Sequence, residues 1–296
     1  LKYLKINISK TMRRRLLLVF IFVSTFLSAQ DLTLKLWEYP LDVKEKHPEL
    51  WVFKANEAKA NGITVVVCPG GSYHHLGLVN EGREVADYLV DLGYNVCVLR
   101  YRVGMRLNHH PAMIEDLQRA VQMVRSQSES WKIKSDHVGC MGFSAGGHLV
   151  TMAAVYSDYN FLEGRKEYIQ NISVRPDFVC PIYPVVSMQD SLVHKKSRKN
   201  LLTNHSTEEE RIALSMEEQI KEGLPPFFVL ACKDDDVVDY RNSVALVEAL
   251  RAKNVPCRFH LFDRGGHGFG MLRTRSEETQ NWGMLFDSWV TALLKR

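Results

Sequence analysis

The chain has no internal repeat, no Pro/Ser-rich linker and no His-Glu-x-x-His spacing. The first two absences leave a single domain as the simplest count. The third removes a common zinc-hydrolase signature, although the chain holds 11 His, so no metal requirement is expected. Gly 18 and Pro 10 in 296 residues are too few for a collagen-like or low-complexity chain. An excess of one charge is missing too. The net charge of +4 comes from residues 1–29, which hold six Lys/Arg and no Asp or Glu. Without them, 32 basic residues face 34 acidic ones, so no basic footprint for nucleic acid remains.

No apolar run is long enough to span a bilayer comfortably. The longest, Leu16–Phe26, follows Arg13, Arg14 and Arg15 and precedes small and polar residues. From Met12 onward this is the pattern of a secretory signal peptide, with cleavage expected near Ala29 or Gln30. The alternative is an uncleaved membrane anchor. Residues 1–11 are expected to lie upstream of the start site. The protein is therefore expected to be exported, periplasmic or extracellular, with no stable membrane partner. The folded body is expected to begin at residue 30.

An exported chain with six Cys invites a disulfide framework. Local context argues otherwise. Cys68, Cys97, Cys140, Cys180 and Cys232 each lie in or end an apolar, strand-like run, where Cys acts as a small buried hydrophobe. A chain of this length can also form a sufficient core without staples.

Runs rich in Val, Ile and Phe alternate with amphipathic segments. Strands are expected near 32–37, 51–54, 63–68, 95–101, 137–142, 178–183, 227–232 and 257–262. Helices are expected near 81–92, 111–127, 145–156, 241–253 and 277–294. The helical period shows in Val85, Tyr88, Leu89 and Leu92, and in Val244, Val247, Leu250 and Arg251. Such alternation implies an α/β fold: a mostly parallel, eight-stranded twisted sheet with helices on both faces. The first two strands have no helix between them and are expected to form an antiparallel edge. The polar segment 187–223 reads as an insertion carrying at least one short helix.

Three features carry the chemistry. The first is Gly-Phe-Ser-Ala-Gly at 142–146, between a strand-like run and a helix-like one. The pattern alone occurs by chance in roughly one chain of this length in ten, so the strand–turn–helix setting decides. There a serine, Ser144, is held on a tight elbow at the positive end of a helix. The second is Cys68–Tyr73, CPGGSY, at the end of an earlier strand. Acyl transfer from serine needs donors for an oxyanion. The N–H groups of Gly71, Ser72 and Ala145 are suited to supply them. The third is the pair KDDDVV (233–238) and GGHGFG (265–270), each after a strand. A serine hydroxyl needs a base, for which His267 is suited, and the base needs an orienting carboxylate. Asp234, Asp235, Asp236 and Asp239 are all candidates.

GFSAGGHL, PGGSYHHL, the tripled Asp before Val-Val, and GGHGFG resemble the α/β-hydrolase superfamily of serine esterases. The chain looks most like the group related to hormone-sensitive lipase and its bacterial acetylxylan-esterase-like members. Residues 109–125, Tyr101-Arg102 and 194–202 share that likeness, which covers roughly 32–294. The resemblance implies an α/β-hydrolase fold, no cofactor, Ser144 as nucleophile and His267 as base. The family's acid stands as D-x-x-V-P, which selects Asp235, although Asp239 stands where Pro is expected. Ser72 likewise replaces the third Gly of the usual oxyanion loop.

Tyr73, His74 and His75 are candidate substrate-binding residues. His109 and His110 are expected at a helix entry, and His148 in packing. Glu81 and Asp116 are expected to favour helix N-terminal ends, and HKKSRK to face solvent. The expected function is removal of acetyl groups from acetylated xylan or its oligosaccharides through an acyl-enzyme on Ser144. The same triad would serve a short-chain carboxylesterase, a feruloyl-type esterase or a peptidase. A non-catalytic carbohydrate-binding hydrolase fold is the alternative of another class.

Overall fold

The computed structural model describes residues 32–38, 48–130, 132, 137–271 and 276–294. The expected signal segment and its cleavage point lie outside these residues. The eight expected strands form one sheet: β1 (Leu32–Lys35), β2 (Glu49–Phe53), β3 (Thr64–Cys68), β4 (Asn95–Arg100), β5 (Val138–Phe143), β6 (Val179–Ile182), β7 (Phe227–Cys232) and β8 (Cys257–Phe262). Their order is β1-β2-β4-β3-β5-β6-β7-β8. β1 and β2 pair antiparallel, as expected of strands without an intervening helix; β2 also pairs antiparallel with β4, and the rest pair parallel.

Seven α-helices flank the sheet among the described residues. They are α1 (Glu84–Asp91), α2 (Ala112–Ser126), α3 (Ala145–Val155), α4 (Lys195–Leu202), α5 (Glu208–Ala213), α6 (Arg241–Ala252) and α7 (Trp282–Leu294). Strand side chains alternate between two cores, as the two-residue period requires. Val66 and Cys68 of β3 pack with α2, α3 and α6, while Val65 and Val67 pack with α1 and α7. Every residue of β3, β5, β6 and β7 is buried, which explains their unbroken apolar runs. Together these features define the α/β-hydrolase fold.

The differences from expectation are local. β1 stops at Lys35, opposite Glu49; the Leu36 N–H still donates to Pro48 O at 3.1 Å, but Pro48 has no N–H to continue the ladder, and Leu36 and Trp37 turn into the core. A π-helical turn, Val79–Arg83, opens into α1. Leu92 caps α1 and is exposed, whereas Val85 and Leu89 are buried. In α6, Leu246 joins Val247 and Leu250 in the core, while Arg251 is exposed.

Each of the six consecutive strands β3–β8 carries one cysteine, and all six are free thiols. Burial pushes the Cys97 and Cys140 thiols up to about 12, so both stay protonated and inert near neutrality.

Asp116 does not act as an N-terminal helix charge. It is fully buried in α2 and accepts from Arg102 and from the Trp37 indole N–H at 2.8 Å. Desolvation pushes its carboxyl pKa up and the Arg102 charge opposes that. Arg102 also binds Glu115, which reaches Arg165. The network ties the end of β4 to α2 and to the residues after β1. Removing one partner would leave an uncompensated buried charge.

Between β6 and β7 the inserted segment forms α4, α5 and a 3₁₀ turn, Met216–Gln219. Lys195, Lys196 and Lys199 are exposed, as expected of the charge run, while Ser197, Asn200 and Leu201 face inward.

Candidate active site

Strand order brings the motifs together. β3 lies between β4 and β5, and Cys68 at the end of β3 pairs with Gly142 near the end of β5. The CPGGSY loop and the Ser144 elbow therefore leave the sheet side by side at its centre. This is where crossovers turn in opposite directions, the usual ligand crevice of a doubly wound sheet. Loops after β7 and β8 reach the same crevice from the other side.

Ser144 sits between β5 and α3 with φ 53° and ψ −117°, in a region that L-residues avoid. Its glycines are required by space. A Cβ on Gly142 would overlap the Gly146 carbonyl, and one on Gly146 would overlap the Cys68 carbonyl. The Ser144 N–H donates to Ile182 O at 3.0 Å, which anchors the elbow to β6. Ser144 retains 4% exposure.

Ser144 Oγ lies 2.9 Å from His267 Nε2, and His267 Nδ1 lies 2.7 Å from Asp235 Oδ2. A carboxylate can only accept, so Nδ1 carries the proton and Nε2 is left to accept from the serine hydroxyl. The Asp235 side chain is 1% exposed and that of His267 is 13% exposed. Asp235 Oδ1 accepts from the Val237 and Val238 N–H groups at 2.9 and 2.8 Å.

The four candidate carboxylates thus separate by partner. Asp235 meets His267. Asp234 accepts from Gly265 at 3.1 Å and Gly266 at 2.7 Å, clamping the loop that carries His267. Asp239 pairs with Arg241, and Asp236 is exposed. The role of Asp234 was not legible in sequence, where it reads as one of three equivalent aspartates.

A cavity of about 220 Å³ opens on Ser144 and His267, and its wall includes Gly70, Gly71, Ser72, His75 and Glu81. Gly71 has φ 128°, Ser72 has φ 59° and Tyr73 has φ 55°, a run of left-handed residues that curls the loop over the nucleophile. Ala145 is the first residue of α3, so its N–H is one of those left free by helix geometry. Asn200 of α4 donates to Ser72 O at 2.9 Å, so the inserted segment braces this loop.

The substrate-binding candidates divide. His75 lines the cavity; the wall does not take in His74 or Tyr73. Tyr73 is turned inward and fully buried, with its hydroxyl 2.9 Å from His148 Nδ1. This corrects its expected place at the substrate. His148 is packed, as expected, but also bridges: its Nε2 lies 2.8 Å from Leu214 O of the inserted segment. Leu214 O can only accept, so Nε2 carries the proton and Nδ1 accepts from Tyr73. Burial pushes the His148 pKa down to about 4, keeping the ring neutral.

Glu81 stands in the first turn of the helical segment Val79–Arg83, as expected, but is turned inward rather than toward solvent. It is 5% exposed, accepts from Gly70 N–H at 2.8 Å and from Tyr183 O–H at 2.9 Å, and desolvation pushes its carboxyl up. The local sequence carries no signal for this, because both partners are remote. His109 and His110 stand before α2, as expected, but line a separate cavity of about 490 Å³ with Leu201, His205 and Leu214.

Val237 is shared between the catalytic cavity and a neighbouring cleft of about 360 Å³. The second cleft is lined by Asp190–Lys195 of the inserted segment and by Asp235, Asp236 and Asp239. Among the described residues, no three His, Cys, Asp or Glu side chains cluster as a metal site, and no helix is long and apolar enough to cross a membrane.

A serine on a strand–helix elbow, bonded to a histidine and through it to a buried aspartate, defines the site class of an α/β-hydrolase. A profile of the BD-FAE family matches residues 50–250, and the chain belongs to that family. It is 30% identical over 214 residues to an acetylxylan esterase of Xylanibacter ruminicola, covering 71% of this chain and 42% of that protein. It is 34% identical over 223 residues to endo-1,4-beta-xylanase B of Butyrivibrio fibrisolvens, covering 75% of this chain and 34% of that one. The chain thus spans well under half the length of these two relatives. The crystal structure of an acetyl ester-xyloside bifunctional hydrolase from Caldicellulosiruptor lactoaceticus superimposes with a TM-score of 0.81 at 29% identity. That match covers 91% of this chain and 98% of that one.

Proposed function

We propose that the protein is a serine ester hydrolase that removes acetyl groups from acetylated xylan or xylo-oligosaccharides. The carrying observation is the Ser144–His267–Asp235 hydrogen-bond chain beside the Gly70–Ser72 loop. Ser144 Oγ attacks the ester carbonyl as His267 Nε2 takes its proton. Asp235 holds the ring in the required tautomer and stabilises the imidazolium. The oxyanion is held by N–H groups of Gly71, Ser72 and Ala145. Collapse expels the alcohol, which takes the proton from His267. Water, activated by the same base, then releases acetate.

Support for the substrate comes from two sides. The relatives' names include an acetylxylan esterase and an acetyl ester-xyloside hydrolase. The small catalytic cavity suits a short acyl group, and the adjoining cleft, walled by charged side chains, suits a polyhydroxylated alcohol. Acetate release from acetylated xylan and from phenyl esters of increasing chain length tests this reading. Release from both xylan and the acetyl ester, lost in Ser144→Ala and weak on long chains, is the expected result. Activity on the small ester alone would discard the polysaccharide, and no Ser144-dependent hydrolysis of any ester would overturn the mechanism.

The enzyme is further proposed to act outside the cytoplasm after cleavage near Ala29 or Gln30. The N-terminal residue of protein recovered from the secreted or periplasmic fraction tests that: an intact signal segment there would overturn it.

A further inference from the structure

We infer that Glu81 is a positioning residue that ties the loop bearing the oxyanion N–H groups to the loop bearing the catalytic base. The inference rests on the serine-hydrolase reading above.

Glu81 is a carboxylate at 5% exposure, and no Lys or Arg pairs with it among the described residues. Burying such a group is unfavourable unless its oxygens are well satisfied. Its two oxygens are satisfied in two directions. Oε2 takes the Gly70 N–H, on the loop that curls over Ser144. Oε1 takes the Tyr183 O–H, and Tyr183 Oη in turn accepts the Gly270 N–H at 3.0 Å, three residues beyond His267. One acceptor group therefore spans the oxyanion loop and the base loop.

Neighbouring contacts converge on the same link. Asn80 Nδ2 donates to Gly268 O at 3.2 Å. The Tyr183 ring packs 4.9 Å from the His267 ring and 4.6 Å from the Phe269 ring, centroid to centroid. Tyr183 itself has φ 37°, a costly conformation for a non-glycine residue, at the turn just after β6. Gly70 leaves no slack: a Cβ there would lie 2.8 Å from Glu81 Oε2 and 2.9 Å from Ser144 Cβ. A shift of Glu81 would move Gly70 and, with it, the N–H groups of Gly71 and Ser72.

A carboxylate suits this task better than an amide. Two remote donors need two acceptor oxygens. Glu81→Gln keeps one acceptor and turns an NH₂ group toward the other donor. Tyr183 Oη has lone pairs to meet it, so the link is weakened but kept. Glu81→Ala removes it. A displacement of about 1 Å in a catalytic group costs roughly 100-fold in rate.

The test measures kcat per titrated active site on phenyl acetate, with active sites counted by a fluorophosphonate burst. KM and the inhibition constant of a trifluoromethyl ketone, which mimics the tetrahedral adduct, are measured in parallel. Glu81→Ala is expected to lower kcat roughly 100-fold and to weaken the ketone by a similar factor, with KM changed less than about 2-fold. Glu81→Gln and Tyr183→Phe are expected to lie between it and wild type. Their double mutant is expected to fall short of the product of the single effects. Wild-type kcat per titrated site in Glu81→Gln and Tyr183→Phe would overturn the inference, even if Glu81→Ala failed to fold. A parallel rise in KM without loss of ketone affinity would also overturn it. Hydrolysis surviving in Ser144→Ala would instead sink the underlying serine-hydrolase reading.

Discussion

The two halves of the site are built differently. The nucleophile elbow and the oxyanion loop stand at the sheet centre, on adjacent parallel strands β3 and β5; close packing of backbone holds the elbow, and the loop beside it is packed against Ser144 and also tethered by Glu81 and Asn200. Gly142 and Gly146 have no room for a side chain. The base and its carboxylate stand on loops after β7 and β8, toward the sheet edge, where β8 is only partly buried. There the holding is done by side chains: Asp235 on Val237 and Val238, Asp234 on Gly265 and Gly266, and Glu81 with Tyr183 on Gly270. Sterics can fix an atom where the backbone is already crowded. A loop crossing open space from an edge strand needs directional tethers instead.

This contrast can be broken at either half. Ser144→Ala is expected to lower kcat/KM for phenyl acetate by about 10⁴- to 10⁶-fold, with the fold intact by circular dichroism. Asp235→Asn disturbs the other half and allows the wrong imidazole tautomer. A drop of about 10⁴-fold in kcat is expected, with KM little changed. Gly146→Ala tests the steric half directly. The added methyl meets the Cys68 carbonyl, so a loss of roughly 3 kcal/mol or more in urea unfolding is expected, if soluble protein forms.

His148 sharpens the comparison through pH. Its folded pKa of about 4 lies below the ordinary 6.5, so its contribution is complete above about pH 6.5 and is lost as pH falls toward 4. In that window the unfolded chain binds the extra proton. Stability should fall by roughly 3 kcal/mol between pH 7 and pH 4 from this group. His148→Gln should flatten that part of the urea-unfolding pH profile. The smallest effect is expected from Asp234→Ala, which frees the Gly265 and Gly266 N–H groups. Loss of such charge-assisted bonds should lower kcat by roughly 10-fold, with only a small change in the unfolding midpoint. A larger loss than in Asp235→Asn would invert the ranking of tethers.

The alternation of strands and helices, the antiparallel edge of β1 and β2 and the elbow at Ser144 were legible in the sequence. These rest on local rules: side-chain period, glycine where backbones touch, and a helix directly after a strand. The same rules located His267 on a Gly-rich loop after the last strand. The family pattern singled out Asp235, and the tertiary structure added what composition could not: it handed Asp234, one residue away, the N–H groups of Gly265 and Gly266 instead of His267. It also turned Tyr73 inward onto His148, buried Asp116 against Arg102, and joined Glu81 to Tyr183, 102 positions away. Hydrogen-bond partnership depends on which strands end side by side. That order, with β3 between β4 and β5, is a property of the whole sheet rather than of any window of residues.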